Sequence, residues 1–148
     1  MNCNKKEGNA FERKFCEILS YYGFWVLNVP QNAAGQPADV IAARSGNSFL
    51  IDCKVYSRRG FVLSRVEENQ RNAMELWQAC GNGVGWFAIE TMNGEVWMIS
   101  LDALDEIGKT KTIASRDDLK RHGCRLIDWV QKYGNVHFKS YSDCKSEQ

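Results

Sequence analysis

The chain has 148 residues, 44% hydrophobic and 25% charged, with a formal net charge of +1. This is ordinary for a soluble globular protein and long enough to bury a sizeable core as one domain, residues 1–148. The longest apolar run, VGWFAI at 84–89, is far too short to span a bilayer, and the opening MNCNKKEGNA lacks the apolar stretch of a secretory signal. No membrane partner is therefore expected, and the protein is read as soluble and intracellular.

The segment NAFERKFCEILSYYGF predicts the first helix, with Asn9 as N-cap, Phe11, Phe15, Ile18, Leu19 and Tyr22 at helical spacing, and Gly23 as the stop. FWVLNV at 24–29 reads as a strand, followed by the loop PQNAAGQP. ADVIAAR at 38–44 and residues 48–55 form a hairpin around the turn SGN. After the basic connection YSRRGFVLSRV, a helix runs from about Glu67 to Ala79, its apolar stripe formed by Ala73, Leu76, Trp77 and Cys80. VGWFAIET and EVWMISL make two further strands around MNG, and residues 102–107, SRDDLKRHG and LIDWVQKYG are short helical pieces. The expected architecture is α/β, a mixed central sheet flanked by helices, with a mostly helical tail. Trp25, Trp77, Trp86, Trp97 and Trp129 all fall at positions that read as core.

Six cysteines, Cys3, Cys16, Cys53, Cys80, Cys124 and Cys144, are scattered without a Cys-x-x-Cys pair. Cys16 and Cys53 fit apolar positions, where free cysteine packs as a small hydrophobe. His122, Cys124, His137 and Cys144 match no zinc spacing. The near-zero net charge hides segregation. Residues 54–71 hold five basic side chains against two acids, residues 109–139 eight against three, and residues 72–108 six acids with no lysine or arginine. Such asymmetry suits a polyanion-facing surface, although solvated faces also cluster charge.

FLIDCKV, residues 49–55, contains the chemistry. Strand residues two apart share a face, so Asp52 and Lys54 point one way while Ile51, Cys53 and Val55 point the other. Asp39 stands near the start of the neighbouring strand, and Glu12 lies at the edge of the first helix's apolar stripe. Taken singly, each has a plain reading: a surface ion pair for Asp52 and Lys54, a solvated side chain for Glu12. Together, two or three carboxylates can share a hard divalent cation such as magnesium, and a lysine beside them can hold a water or offset phosphate charge. This is the minimal set for metal-assisted hydrolysis of a phosphodiester.

The order of Glu12, Asp39 in QPADV, and Asp52 with Lys54 in IDCK resembles the PD-(D/E)XK nuclease superfamily. With GNAFE at 8–12 and Gln70 in ENQRNAMELW, the chain looks most like the RecU-like and archaeal-type Holliday junction resolvases. The resemblance implies a restriction-endonuclease-like αβββαβ core over about residues 8–100, followed by an extension over about 101–148 that matches no pattern. Asp39, Asp52 and the Cys53 backbone carbonyl would bind magnesium, for which manganese could substitute. Glu12 would bind a second metal directly or through water, Lys54 would position the attacking water, and Gln70 would orient water or phosphate. The products would carry 5′-phosphate and 3′-hydroxyl ends.

Two departures are visible: the proline lies one residue early, at Pro37, and Asp52 stands where many relatives carry glutamate. No insertion is long enough for the projecting stalk of the cellular RecU-type enzymes. Lys14, Arg58, Arg59, Arg65 and Arg71 are candidate DNA phosphate contacts, while Phe61 reads as a core anchor for the basic loop. The expected substrate is DNA, branched or four-way, with no small-molecule substrate, cut by a homodimer whose two-fold axis suits symmetric cleavage. A cytoplasmic protein of prokaryotic or phage origin follows. The alternatives are another restriction-like or repair endonuclease, a catalytically silent nucleic-acid-binding module, and an interaction factor using the acidic 72–108 segment.

Overall fold

A computed structural model of the protein describes residues 3–30 and 36–134. His137 and Cys144 of the zinc reading lie outside them, as does Lys139 of the basic tail. Helix α1 (Cys3–Tyr21) leads into β1 (Trp25–Asn28), β2 (Val40–Arg44) and β3 (Asn47–Val55). A short strand β4 (Phe61–Val62), a 3-10 turn (Leu63–Arg65) and α2 (Glu68–Ala79) return the chain to β5 (Trp86–Glu90) and β6 (Val96–Ser100). Then follow α3 (Leu101–Gly108), β7 (Ile113–Ala114), α4 (Arg116–His122), β8 (Cys124–Arg125) and α5 (Leu126–Tyr133). Among the described residues no helix is long and apolar enough to cross a membrane.

The six-stranded sheet has the order β1-β2-β3-β5-β6-β8. All neighbours are antiparallel except β3 and β5, which run parallel with Asp52 opposite Phe87 and Lys54 opposite Ile89. That one parallel pair requires a crossover, supplied by β4, the 3-10 turn and α2. The β2–β3 hairpin turns on Ser45 and Gly46, both at positive φ (51° and 81°), as a two-residue turn matched to strand twist demands.

Alternation along the strands divides the core in two. On one face, Phe11, Phe15 and Leu19 of α1 and Trp129 and Val130 of α5 pack against Val40, Ala42, Phe49 and Ile51. On the other, Met74 of α2, Leu104 and Ile107 of α3 and Leu119 of α4 pack against Leu50, Phe87, Ile89 and Ile99. Residues after Ser100 thus contribute to both layers. Trp129 is fully buried and stacks on Phe24 at 5.6 Å, with Phe49 edge-on at 4.9 Å.

Four local expectations are corrected. Helix α1 starts by Cys3, so Asn9 lies inside it and is no cap. Trp25 is 62% exposed, because β1 is the edge strand and helices cover the sheet's centre first. On α2, Leu76 and Cys80 are exposed, and the buried line is Gln70 and Met74, one turn apart. The extension is less helical than expected: β8 adds an edge to the sheet and β7 pairs with β4.

Candidate active site

Asp52 sits in the last half of β3, 1% exposed, with its carboxylate between two neighbours. Lys54, two residues on and on the same face, brings Nζ to 3.1 Å from Oδ2, and Gln70 donates from Nε2 to Oδ1 at 3.2 Å. Gln70 is the third residue of α2, and its Oε1 accepts the Glu67 backbone N–H at 3.2 Å. One amide therefore closes the helix terminus and faces the aspartate, with little freedom to do otherwise. Oδ2 has an ion-pair neighbour in Lys54 but accepts no well-directed hydrogen bond among the described residues.

Asp39 precedes β2 and is tied across to β3. Its Oδ2 accepts the Cys53 backbone N–H at 2.8 Å and its Oδ1 accepts from Gln36 Nε2. Its backbone is clamped on both sides, Asp39 N donating to the Ile51 carbonyl and Val29 N donating to the Asp39 carbonyl. Glu12 reaches the site from α1. With the Asn28 amide turned so that its nitrogen faces acceptors, Asn28 donates to the Asp39 carbonyl at 3.2 Å and to Glu12 Oε1 at 2.6 Å. A cleft of about 430 Å³ opens here, lined by Glu12, Arg13, Asn28 and Val29.

The electrostatics follow from burial and crowding of like charge. Burial, with Asp39 adding repulsion, raises Asp52 to about 8 despite Lys54 pulling it down. Burial and the same Asp39 raise Glu12 to about 7. Burial, reinforced by nearby carboxylates, lifts the Cys16 thiol to about 11 and the Cys53 thiol well above its ordinary value. Neither thiol is a nucleophile near neutral pH.

A hard divalent cation would relieve this repulsion, and the donors present, all oxygen, suit one. Among the described residues, no three acid, histidine or cysteine side chains converge into an enclosing cage. The nucleus is the Asp39–Asp52 pair, near enough for the charge of Asp39 to raise Asp52, with Glu12 alongside. Two carboxylates with open positions fit a cation that keeps waters and takes the rest of its shell from a substrate phosphate.

The fold also redistributes charge. The acidic 72–108 segment does not make one acidic surface: Glu90 pairs with Lys14 (3.1 Å), Asp105 with Arg71, Glu106 with Lys109, and Glu95 with Arg116 (3.0 Å). Arg71 holds both Asp105 oxygens at 2.8 Å. Arg65 donates to the Val55 carbonyl at 2.6 Å and lies 5.6 Å from the Phe61 ring centroid. Arg58 and Arg59 are exposed, with no acidic partner among the described residues, and Arg58 lines a groove of about 730 Å³ together with Lys14, Tyr56 and Thr91. Arg13, beside Glu12, is likewise exposed and without an acid.

Arg13, Asn28 and Gln36 were not legible in the sequence. Asn28 lies 16 residues from Glu12 (28 − 12) on the exposed edge strand, with no local pattern pointing to it.

Three comparisons bear on this geometry. The model of a family described as archaeal Holliday junction resolvase (Hjc) matches residues 3–135. The crossover junction endodeoxyribonuclease Hjc of Methanocaldococcus jannaschii is 29% identical over 111 residues, which cover 75% of this chain and 78% of that protein. The solved structure of Archaeoglobus fulgidus Hjc, a Holliday junction resolvase, superposes with a TM-score of 0.62 at 14% identity, covering 84% of this chain and 98% of that one. At that identity the last likeness concerns the fold.

Proposed function

The chain belongs to the archaeal Holliday junction resolvase (Hjc) family, and from that membership we infer that it is a junction-resolving endodeoxyribonuclease, a hydrolase of DNA phosphodiesters that uses a divalent cation. Our finer reading is a magnesium-dependent enzyme, with manganese as a substitute, acting as a homodimer and leaving 5′-phosphate and 3′-hydroxyl ends. The observation that carries it is the buried Asp52 facing Lys54 and Gln70 beside Asp39. A solely structural ion pair has no use for a second carboxylate crowded against it.

Asp39, Asp52 and the Cys53 carbonyl would hold the cation, with Glu12 holding a second directly or through water. When bound, the cation supplies charge neutralisation at the phosphate and lowers the pKa of an attacking water. Lys54 would orient that water, a role supported by its ammonium lying 3.1 Å from Asp52. The Gln70 amide, anchored at the start of α2, orients water or the scissile phosphate. Arg58 and Arg59 are the best candidates for backbone phosphates, since neither is engaged by an acid among the described residues; Lys14, Arg65 and Arg71 would have to share their present partners with DNA.

The dimer reading is supported by exposed apolar surface. Trp25 (62%) and Leu27 (41%) face the α2 side of the sheet, opposite Ala43 and Ile41, and Leu76 on α2 is 65% exposed. A second copy covering the Trp25–Leu27 edge would present two sites about a two-fold axis, as paired cuts require.

The test is incubation of a synthetic four-way junction, a duplex and a single strand with magnesium, calcium or chelator. We expect magnesium-dependent paired nicks in the junction, lost in Asp52→Asn and Lys54→Ala. Junction binding without cleavage of any substrate, under every metal, would instead identify a silent binding module.

A further inference from the structure

The Arg58–Arg59 turn is held at both ends, and one of its holders is the extension after Ser100. Upstream, the Tyr56 backbone N–H donates to the Glu90 carbonyl at 2.6 Å. Across the turn, Gly60 N donates to the Ser57 carbonyl at 3.1 Å and Ser57 Oγ donates to the Gly60 carbonyl at 2.6 Å. Downstream, Phe61 is fully buried and β4 pairs with β7, placing Phe61 opposite Ala114 and Val62 opposite Ile113. The Leu63 N–H adds a bond to the Thr112 carbonyl at 3.0 Å.

Gly60 is where this arrangement is tightest. Its φ is +107°, and a Cβ there would lie 2.5 Å from the Ala114 carbonyl oxygen and 3.0 Å from Ile113 Cγ2. Any side chain would strain the backbone and push β7 away from β4.

We propose that residues 112–114 are a clasp, and that through Gly60 and Ser57 they hold Arg58 and Arg59 as a preformed clamp for adjacent DNA backbone phosphates. Ser57, Gly60 and Ala114 are then positioning residues, acting through the two arginines. The advantage is entropic: a turn ordered before binding loses less freedom when it engages the phosphates. This proposal rests on the reading of the chain as a DNA-cleaving enzyme.

The test measures affinity for a synthetic four-way junction in calcium across a range of salt, on the full chain, with thermal melts and junction cleavage in magnesium alongside. Replacing both Arg58 and Arg59 by alanine should flatten the dependence of log affinity on log salt by roughly two units, about 0.9 for each phosphate contact. Gly60→Ala keeps every charge, yet it should weaken binding roughly five- to tenfold and flatten the same slope. Ser57→Ala, at an exposed position that folding tolerates, should weaken binding roughly two- to threefold, and Ser57→Thr should restore it.

A folded Gly60→Ala protein with wild-type affinity and slope would overturn the clasp. If Gly60→Ala does not fold, the Ser57 pair decides: wild-type binding by Ser57→Ala would overturn it. A wild-type slope in the double arginine variant, while the unmodified protein still cuts junctions, would overturn the clamp and leave the nuclease reading intact. Failure of the unmodified protein to bind or cut any junction would overturn the nuclease reading itself.

Discussion

Asp52 and Asp118 are both buried, at 1% and 4% exposure, and each faces a lysine, yet they titrate in opposite directions. Asp118, in the first turn of α4, takes Lys111 Nζ on both oxygens, at 2.7 and 2.9 Å. It also accepts the Ser115 N–H and hydroxyl, each at 2.9 Å, as part of a capping box. Lys111 and these Ser115 hydrogen bonds hold it down at about 2. Asp52 has one lysine and one amide, deeper burial and a second aspartate against it, and rises to about 8. The difference lies in donors. Asp118 is satisfied by the chain itself, whereas Asp52 is left short of positive charge, as a site awaiting a cation would be.

The sharpest way to break this comparison is to neutralise each aspartate. Asp52→Asn should lower the junction cleavage rate by roughly a hundred- to a thousandfold, the scale of losing one transition-state-stabilising group. Asp118→Asn should leave that rate unchanged, and single-turnover assays decide both. Chemical denaturation should reverse the ranking. Asp118→Asn should cost roughly 1–3 kcal/mol by stranding its donors, while Asp52→Asn should be neutral or stabilising in metal-free protein, because the fold disfavours the charged form of Asp52.

A pH series sharpens the contrast further. The folded values of Asp52 (3.8 to about 8) and Glu12 (4.5 to about 7) are raised, so the folded state keeps protons the unfolded state has lost. Their contribution to stability is fully present only in acid, below the unfolded values of 3.8 and 4.5, and is lost progressively as pH rises from there through about 7 to 8 in metal-free protein. Asp118 is depressed from 3.8 to about 2, so its contribution is present above the ordinary carboxylate value and lost as pH falls towards about 2. Melting temperatures across pH should show the decline between about pH 4 and 8 flattened by Asp52→Asn and the decline towards pH 2 flattened by Asp118→Asn. The smallest expected effect is protection by magnesium or calcium without DNA. It should raise the melting temperature more at pH 8 than at pH 5 and vanish in Asp39→Ala, since ionised carboxylates bind the cation.

How legible the site was depended on the range of the contacts. Asp52 and Lys54 share a face by strand periodicity, and Gln70 lies at the start of a helix that the sequence already delimits. Asn28 and Gln36, which hold Glu12 and Asp39, carry no periodic signal, since their roles depend on where β1 and the following loop come to rest. The errors at Trp25, Leu76 and Cys80 have a similar origin. An apolar residue at the right spacing is buried only if another layer covers that strip, and among the described residues neither the edge strand nor the outer side of α2 is covered.

The chain alone determined the main helices and strands as far as Ser100, the mixed sheet, and the alignment of Asp52 with Lys54, because these follow from periods of 2 and 3.6 residues and from turn chemistry, whereas the short strands β4, β7 and β8 did not. Tertiary structure alone decided which charges remain available. Inserting β5 parallel beside β3 brings Glu90 to Lys14, 76 residues away, and packing α3 near α2 gives Asp105 to Arg71 over 34 residues. Segments that are acidic or basic in sequence thereby neutralise one another, and the Arg58–Arg59 turn keeps its charge unpaired among the described residues. Ion pairing depends on distances of a few ångströms in space, which one-dimensional charge patterning does not encode.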